Sequence, residues 1–583
     1  MLLTMAIWML SFKLFPAPDP PDPAAAGAKA DGKAADGKVA AVADNADSDE
    51  AKDEEEPTDD ALQPPLGEQP PAGVQPPAAK PGELVLAQPA GETEFVSIGS
   101  LDPKDGYRML VTLTSSGAAV LRAELSSPRF TAQQNWSGYL GELQLTNVAD
   151  GVLVQVVGDG TPAALAKIAA GDVIVGLKDS KPGQKLTLHS LQTALKKTNP
   201  GNQFTMQVRR GENPPEARTV KLTRRPLALL RPEIENFEMR KVDPPADFVD
   251  RPSMLMPLPQ LGGKPLSKAN AKRLTKLLET GNWQLTAHDQ KSATISITPV
   301  PNLTITKRYS LPPVPTDKLD DANFKAYHLL LDVEFKNTAT EPQSLSYQLE
   351  GPTGMPIEGW WFAHKISRSS WTGGAGLRDI VVRFAGNQVT QLDCRRIVAG
   401  DYGPMGPGQA LAYVGVDGQY FSAVVVPVRK ALDDAWFDTV EAIVVGPPPE
   451  ERFETFANTT CRMTRLPIDL PAGGTHAESY EVFVGPKRPD LLAQYQAAND
   501  PNYSLSDIVY YGLALFAVVA RTMLVILHFF YGIVGNYGIA IIMLTVLVRG
   551  AMFPLSYKQT KSMARMQALK PEMDRINELY KND

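Results

Sequence analysis

The sequence predicts a multidomain membrane protein whose bulk is a large β-rich body. Three observations carry that expectation. Residues 536–556, NYGIAIIMLTVLVRGAMFPLS, are apolar over 21 positions, and at a rise of ~1.5 Å per residue they reach ~31 Å, about the hydrocarbon thickness of a bilayer. From Asn282 to Lys487 short alternating runs follow one another, separated by turns rich in Gly, Pro and Asn, as in a large β-sandwich. Residues 17–90 are Pro, Ala, Gly and acid with almost no large apolar side chain. They cannot bury enough surface to offset ordering entropy, so a disordered linker is expected there.

Taken in order, residues 1–16 (MLLTMAIWMLSFKLFP) are apolar but short for a span, and they lack the basic start of a cleaved signal peptide. Within the linker, Asp44 to Asp60 holds ten acids against one lysine and so outweighs the chain's whole net charge of −7. The remainder shows no basicity of the nucleic-acid-binding kind, and no nucleic acid partner is expected. The cysteines are only Cys394 and Cys461, compatible with one bridge or two free thiols. With no HExxH, no nucleophile elbow and six scattered histidines, no catalytic residue, metal or cofactor is expected.

In residues 91–136, YRMLVTLTSSGAAVLRAELSS (107–127) reads as two strands about a Ser-Gly turn. A different module follows. GVLVQVV (151–157) is a strand, Thr161-Pro162 opens a short helix, and AGDVI (170–174) enters a second strand. Leu188, Leu191, Ala194 and Leu195 line a second helix, and Phe204–Val208 alternates again. That order resembles a PDZ domain over residues 137–225. The resemblance implies capture of a peptide C-terminus by strand addition, with a glycine loop offering N–H groups to the carboxylate. The loop would be Tyr139, Leu140 and Gly141, followed by Glu142 where an apolar residue is usual. A spacer that keeps the fold without binding is the alternative.

Residues 226–281 read as a connector with helical character over Lys268–Leu278, and 282–497 as the main β domain. Trp360, Trp361, His364 and Trp371 would suit a sugar platform, although clustered aromatics are more often packing. Residues 504–535 are apolar enough to span. The short Gly535-Asn536 corner and the shared face of Arg521 and His528 favour instead an amphipathic helix lying along the interface. Six cations follow the span, among them Lys558, Lys561, Arg565 and Lys570. Between Asp500 and Asn536 the firm cation is Arg521, so the positive-inside rule puts residues 557–583 in the cytoplasm. Met563, Met566, Leu569, Met573, Ile576 and Leu579 form a helical apolar stripe that needs a partner. Arg549 lies inside the span, where a charge costs at least ~2.5 kcal/mol. Two readings are open: an arginine snorkelling to headgroups, or a cation lining a wet intramembrane cavity.

The run VGNYG-(apolar)-VRGAMFPLSYKQTKSMARMQALKPEMDRINELY resembles the YidC family of membrane protein insertases, relatives of the mitochondrial Oxa and chloroplast Alb proteins. The carriers are Val548-Arg549-Gly550, Pro554-Leu555 and the Met563/Met566/Leu569/Pro571 spacing. Further phrases resemble the family's periplasmic β-supersandwich: the strand ending at Asn337, Val414-Gly415-Val416 with Gln419-Tyr420-Phe421, and Gly485-Pro486-Lys487. The resemblance implies an N-terminal anchor helix at 1–16 and a supersandwich formed by 91–136 and 282–497, interrupted by the PDZ-like domain. It also implies an interfacial helix at 504–535, a first core transmembrane helix at 536–556, and the first arm of a basic cytoplasmic hairpin at 557–583. The family core has five membrane helices, so the chain is expected to be an N-terminal portion. The function implied is insertion and folding of inner-membrane proteins, alone or with the Sec translocon, without ATP or covalent chemistry. Arg549 would line a hydrophilic groove. Lys558, Lys561, Arg565 and Lys570 would receive nascent chains, ribosome or Sec components. A membrane-tethered periplasmic PDZ-type peptide binder is the alternative. A carbohydrate-active β-sandwich finds no supporting motif.

Overall fold

The computed structural model describes residues 84–133, 135–178, 185–357, 365–368, 374–512 and 514–579. Residues 1–16, nearly all of the 17–90 linker, and Trp360, Trp361, His364 and Trp371 lie outside them. The chain forms two units, Ala79–Ala517 and a second that includes Val518–Asp583.

The first unit is mostly sheet. A nine-stranded antiparallel sheet runs in the order 284–288, 292–300, 303–310, 328–337, 475–486, 421–427, 411–417, 379–384 and 390–392. Alternation decides which side of each strand is buried. Leu303, Ile305 and Tyr309 point inward from one strand and Leu329, Leu331, Val333 and Phe335 from the next, while Arg308, Glu334 and Lys336 face water. Strands β1 (Phe95–Gly99), β2 (Met109–Thr114) and β3 (Ala119–Leu125) form a separate antiparallel sheet. Their residues Ile98, Val111 and Val120 share one apolar core with residues of the nine-stranded sheet.

Residues 226–281 do more than connect. Ala228–Leu230 pairs with β3 as the fourth strand of that sheet, and Leu229, Met254, Met256 and Leu258 enter the common core. Leu274, Leu277 and Leu278 of the helix Lys268–Thr280 do the same. The connector reading is therefore corrected: these residues are dispersed in sequence between polar ones, and only the fold gathers them against the sheet.

One inward position breaks the apolar alternation. Lys307 is fully buried, and its Nζ donates to the carbonyls of Gly117 (3.1 Å), Ala118 (3.3 Å) and Met254 (2.7 Å). Gly117 and Ala118 carry φ of +68° and +45°, which turns both carbonyls of the β2–β3 turn toward the ammonium. Burial pushes the Lys307 pKa down to about 7, against the opposing pull of Glu279 and Glu350.

The inserted module is a five-stranded antiparallel sheet, β4 (Leu145–Val148), β5 (Gly151–Val154), β6 (Asp172–Leu177), β7 (Gln203–Arg210) and β8 (Glu216–Lys221), in that spatial order. Helices α1 (Pro162–Leu165) and α2 (Leu188–Lys196) close its separate core around Val152, Ile174, Leu191 and Met206. Thr161 caps α1 with Pro162 behind it, and Thr187 and Ser190 form a capping box on α2.

Residues 504–535 are not one helix. Leu505–Ile508 is a 3₁₀ turn whose Leu505 and Ile508 sit in the β core, and Asp507 pairs with Arg383. The helix proper, α3 (Ala514–Val534), begins beyond Gly512, whose φ of +87° interrupts the chain. Its apolar side chains Val518, Val525, Phe529 and Ile533 are exposed. Residues 516–534 and 537–554 are both long and apolar enough to cross a membrane, with mean hydropathy 1.9 and 1.7.

The corner at Gly535 (φ +63°) is closed by the Gly535 N–H to Tyr531, by Asn536 accepting from Gly538, and by stacked Tyr531 and Tyr537 rings 3.9 Å apart. The last helix, α4 (Tyr537–Leu579), runs 43 residues without a break. The expected span at 536–556 and basic arm at 557–583 thus fall on one continuous helix. Pro554 and Pro571 each remove one backbone bond, but strong helix formers continue on both sides and nothing caps the helix between them.

Replacing Lys307 by Met leaves the buried carbonyls of Gly117 and Met254 without their donor, while Ala118 keeps the Tyr309 hydroxyl, so unfolding of the full chain in detergent should show a loss of about 2–4 kcal/mol. The folded-state pKa lies below the unfolded one. The wild-type chain should therefore gain stability as pH rises from about 7 toward 10.5. Denaturant titrations at pH 7 and pH 9.5 should show this gain in the wild type and not in Lys307→Met.

Candidate functional site

Two places carry the chemistry, one in each unit. In the first, residues 139–142 form the loop that enters β4. Gly141 has φ +132°, and a Cβ there would lie 3.2 Å from the Thr161 side chain, so the loop needs glycine. The Leu140 carbonyl accepts from the Ala163 N–H at 2.8 Å, which ties the loop to α1. Among the described residues, the N–H groups of Leu140, Gly141 and Glu142 donate to nothing. Among the described residues, strand β4 pairs only with β5, which leaves its outer edge open beside α2, whose Leu188 N–H bonds Asn147 at 2.7 Å. The sequence reading missed β4, because LTNV offers four residues and no clean alternation.

The ends of this loop are gripped by the β body. The Tyr139 hydroxyl donates to Glu124 at 2.7 Å, both being buried, and the Arg225 guanidinium lies over the Tyr139 ring. Burial pushes the Glu124 and Tyr139 pKa values up. Arg122, two positions before Glu124 on β3, is 3% exposed. It pairs with Glu142 at 3.3 Å and donates to Glu235. Burial opposes its charge, but Glu142 and Glu124 beside it hold its pKa above the usual value. Neither Arg122 nor Glu124 was legible as a partner of the loop. They precede it by some 15 to 20 residues in an ordinary strand.

In the second unit, Arg549 is exposed on α4, twelve residues past the corner helix start at Tyr537. At about 100° per residue it stands ~140° around the helix from Leu544 and ~180° from Ala540, the two buried residues of this helix. Lys558, Lys561 and Arg565 fall within ~60° of one another, whereas Lys570 is ~120–180° away from them. All four are exposed, as is the stripe Met563, Met566, Leu569, Met573, Ile576 and Leu579.

Other chemically suggestive groups are already satisfied. Asp379, Asp393 and Cys394 come close enough to hold an ion. However, Asp379 accepts from Lys365, Gln391 and the Cys394 N–H, and Asp393 caps a helical turn and binds Arg395. Cys394 and Cys461 are free and buried, which settles the bridge left open above, and burial pushes both thiols up to about 12.

A β-rich body carrying a PDZ domain, followed by two helices of membrane length, defines the class: a membrane protein with a large folded domain. The sequence model described as PDZ domain matches residues 138–222, and that described as 60Kd inner membrane protein matches residues 529–583. Over this last segment the chain is similar to the YidC/Oxa family of membrane protein insertases.

A membrane protein insertase YidC of Geobacter sulfurreducens is 39% identical over 116 residues, 20% of this chain and 20% of that protein. That of Treponema denticola is 28% identical over 176 residues, 30% and 28% of the two. The matches thus span less than a third of these relatives' length. A galactose mutarotase-like protein from Lactobacillus casei is 11% identical, covers 40% of this chain and 85% of its own, and has a TM-score of 0.25. At that score the likeness carries no argument.

Tyr139→Phe removes the donor to buried Glu124 and should destabilise the body by about 1–3 kcal/mol in urea denaturation of the full chain.

Proposed function

We propose that this chain serves a membrane protein insertase, helping inner-membrane proteins to insert and fold. The observation that carries the reading is Arg549, a lone guanidinium in the span of an apolar helix, within the segment that matches the family. A charge in hydrocarbon must be hydrated or paired, so α4 needs a water-filled recess around this residue. Such a cation attracts the acidic tail of a substrate strongly and reversibly. The membrane potential adds ~2.3 kcal/mol per charge per 100 mV in driving that tail outward. The apolar segment of the substrate then moves sideways into lipid.

In this reading the C-terminal end of α4 is cytoplasmic. Lys558, Lys561, Arg565 and Lys570 there meet the nascent chain, ribosome or Sec translocon. The β body, as a supersandwich, lies in the periplasm, and the first part of α3 rests along the interface. No cofactor or covalent step is involved.

A second reading, a membrane-tethered PDZ-type peptide binder, is favoured by the unused amides of Leu140, Gly141 and Glu142 beside the open edge of β4. The two activities are compatible in one chain.

With Arg549→Ala in the complete protein, cells depleted of their own insertase should lose insertion of an acidic-tailed test protein by more than about tenfold, while Arg549→Lys keeps most of it. Protease protection of the substrate's tail measures both. Equal insertion by the Ala variant would remove the role assigned to Arg549.

A further inference from the structure

The PDZ loop is held from outside the PDZ domain. Its first residue, Tyr139, is fixed through its hydroxyl to buried Glu124, and its last, Glu142, is drawn toward buried Arg122. Both anchors project from one face of β3, at i and i+2, so a single strand of the body grips both ends of the loop. Between the grips the three amides stay free, facing no partner among the described residues. Glu142 is the last residue of the loop, where a bare negative charge would repel an incoming carboxylate, and Arg122, which also donates to Glu235, pairs with it at 3.3 Å.

We infer that Arg122 is a positioning residue for peptide binding: it neutralises Glu142 and holds its side chain toward the body, so that the amides of residues 140–142 can accept a C-terminal carboxylate. The ligand class is a peptide with a free C-terminus that adds as a strand to β4. Glu124, through Tyr139, sets the other end of the same loop. The peptide-binding part of the proposed function is the premise, while the dependence on the body is new. It makes binding a property of the two domains together. The PDZ domain cannot tumble freely on its linkers, because the Tyr139–Glu124 and Glu142–Arg122 contacts and the Leu101 N–H to Asp159 bond (2.9 Å) tie it to the body.

The test uses the full chain in detergent and fluorescein-labelled heptapeptides ending in Val, Leu, Phe or Ala, each with a free carboxylate or a C-terminal amide. Fluorescence anisotropy should show binding of the free-acid forms only. Arg122→Met should weaken that binding by about tenfold, since an unpaired Glu142 then repels the carboxylate. Arg122→Met combined with Glu142→Gln should regain most of the loss, which damage to the fold alone would not allow. Thermal unfolding of each variant reports whether the body stays intact. If no free-acid peptide binds the wild-type chain, the peptide reading falls and the inference with it. If peptides bind wild type and Arg122→Met alike, or the double variant is folded but not rescued, the positioning role alone is overturned.

Discussion

The exposed flanks of α3 and α4 set the terms for the rest of the chain. Val518, Val525, Phe529, Ile533, Ile542, Val546 and Phe553 stand open on helices of membrane length, and water is the wrong solvent for such a surface. A helix satisfies its own backbone polar groups and so tolerates lipid, which an open sheet edge does not. Lipid does not tolerate a bare guanidinium, and the apolar stretch of α4 holds one, that of Arg549. Its placement opposite Ala540 and Leu544 means that whatever buries those two residues leaves the arginine's own face open to something else.

The β body answers a different problem. Its sheets share one core, but several of the contacts that align them are polar. Glu350 is held by Arg251 (2.8 Å) and Arg462 (2.7 Å), Glu233 by Arg378 (2.6 Å), and Asp417 by Lys365 (2.9 Å) and Lys487 (2.7 Å). Buried pairs of this kind add little net stability because of their desolvation cost, yet a slipped register would strand a charge in the core. Lys307 belongs with them, joining the nine-stranded sheet to the β2–β3 turn. The same logic governs the PDZ domain, whose loop meets the body through Glu124 and Arg122.

The sequence by itself determined the local structure wherever periodicity was strong. The alternation of residues 303–310 and 328–337, the Thr161-Pro162 helix start, the Leu188/Leu191/Leu195 helix face, and the apolar run from Tyr537 onward were legible, because side-chain period and capping chemistry act over a few residues. So was Arg549, a charge conspicuous against its neighbours. Tertiary structure alone decided the rest. It drew residues 226–281 into the core and started α3 at Ala514 instead of near 504, with Leu505 and Ile508 buried before it. It also brought Arg122 and Glu124 against the loop at 139–142. The physical reason is common to all three: burial and ion pairing depend on distances in space between residues far apart in the chain, and no local pattern encodes them.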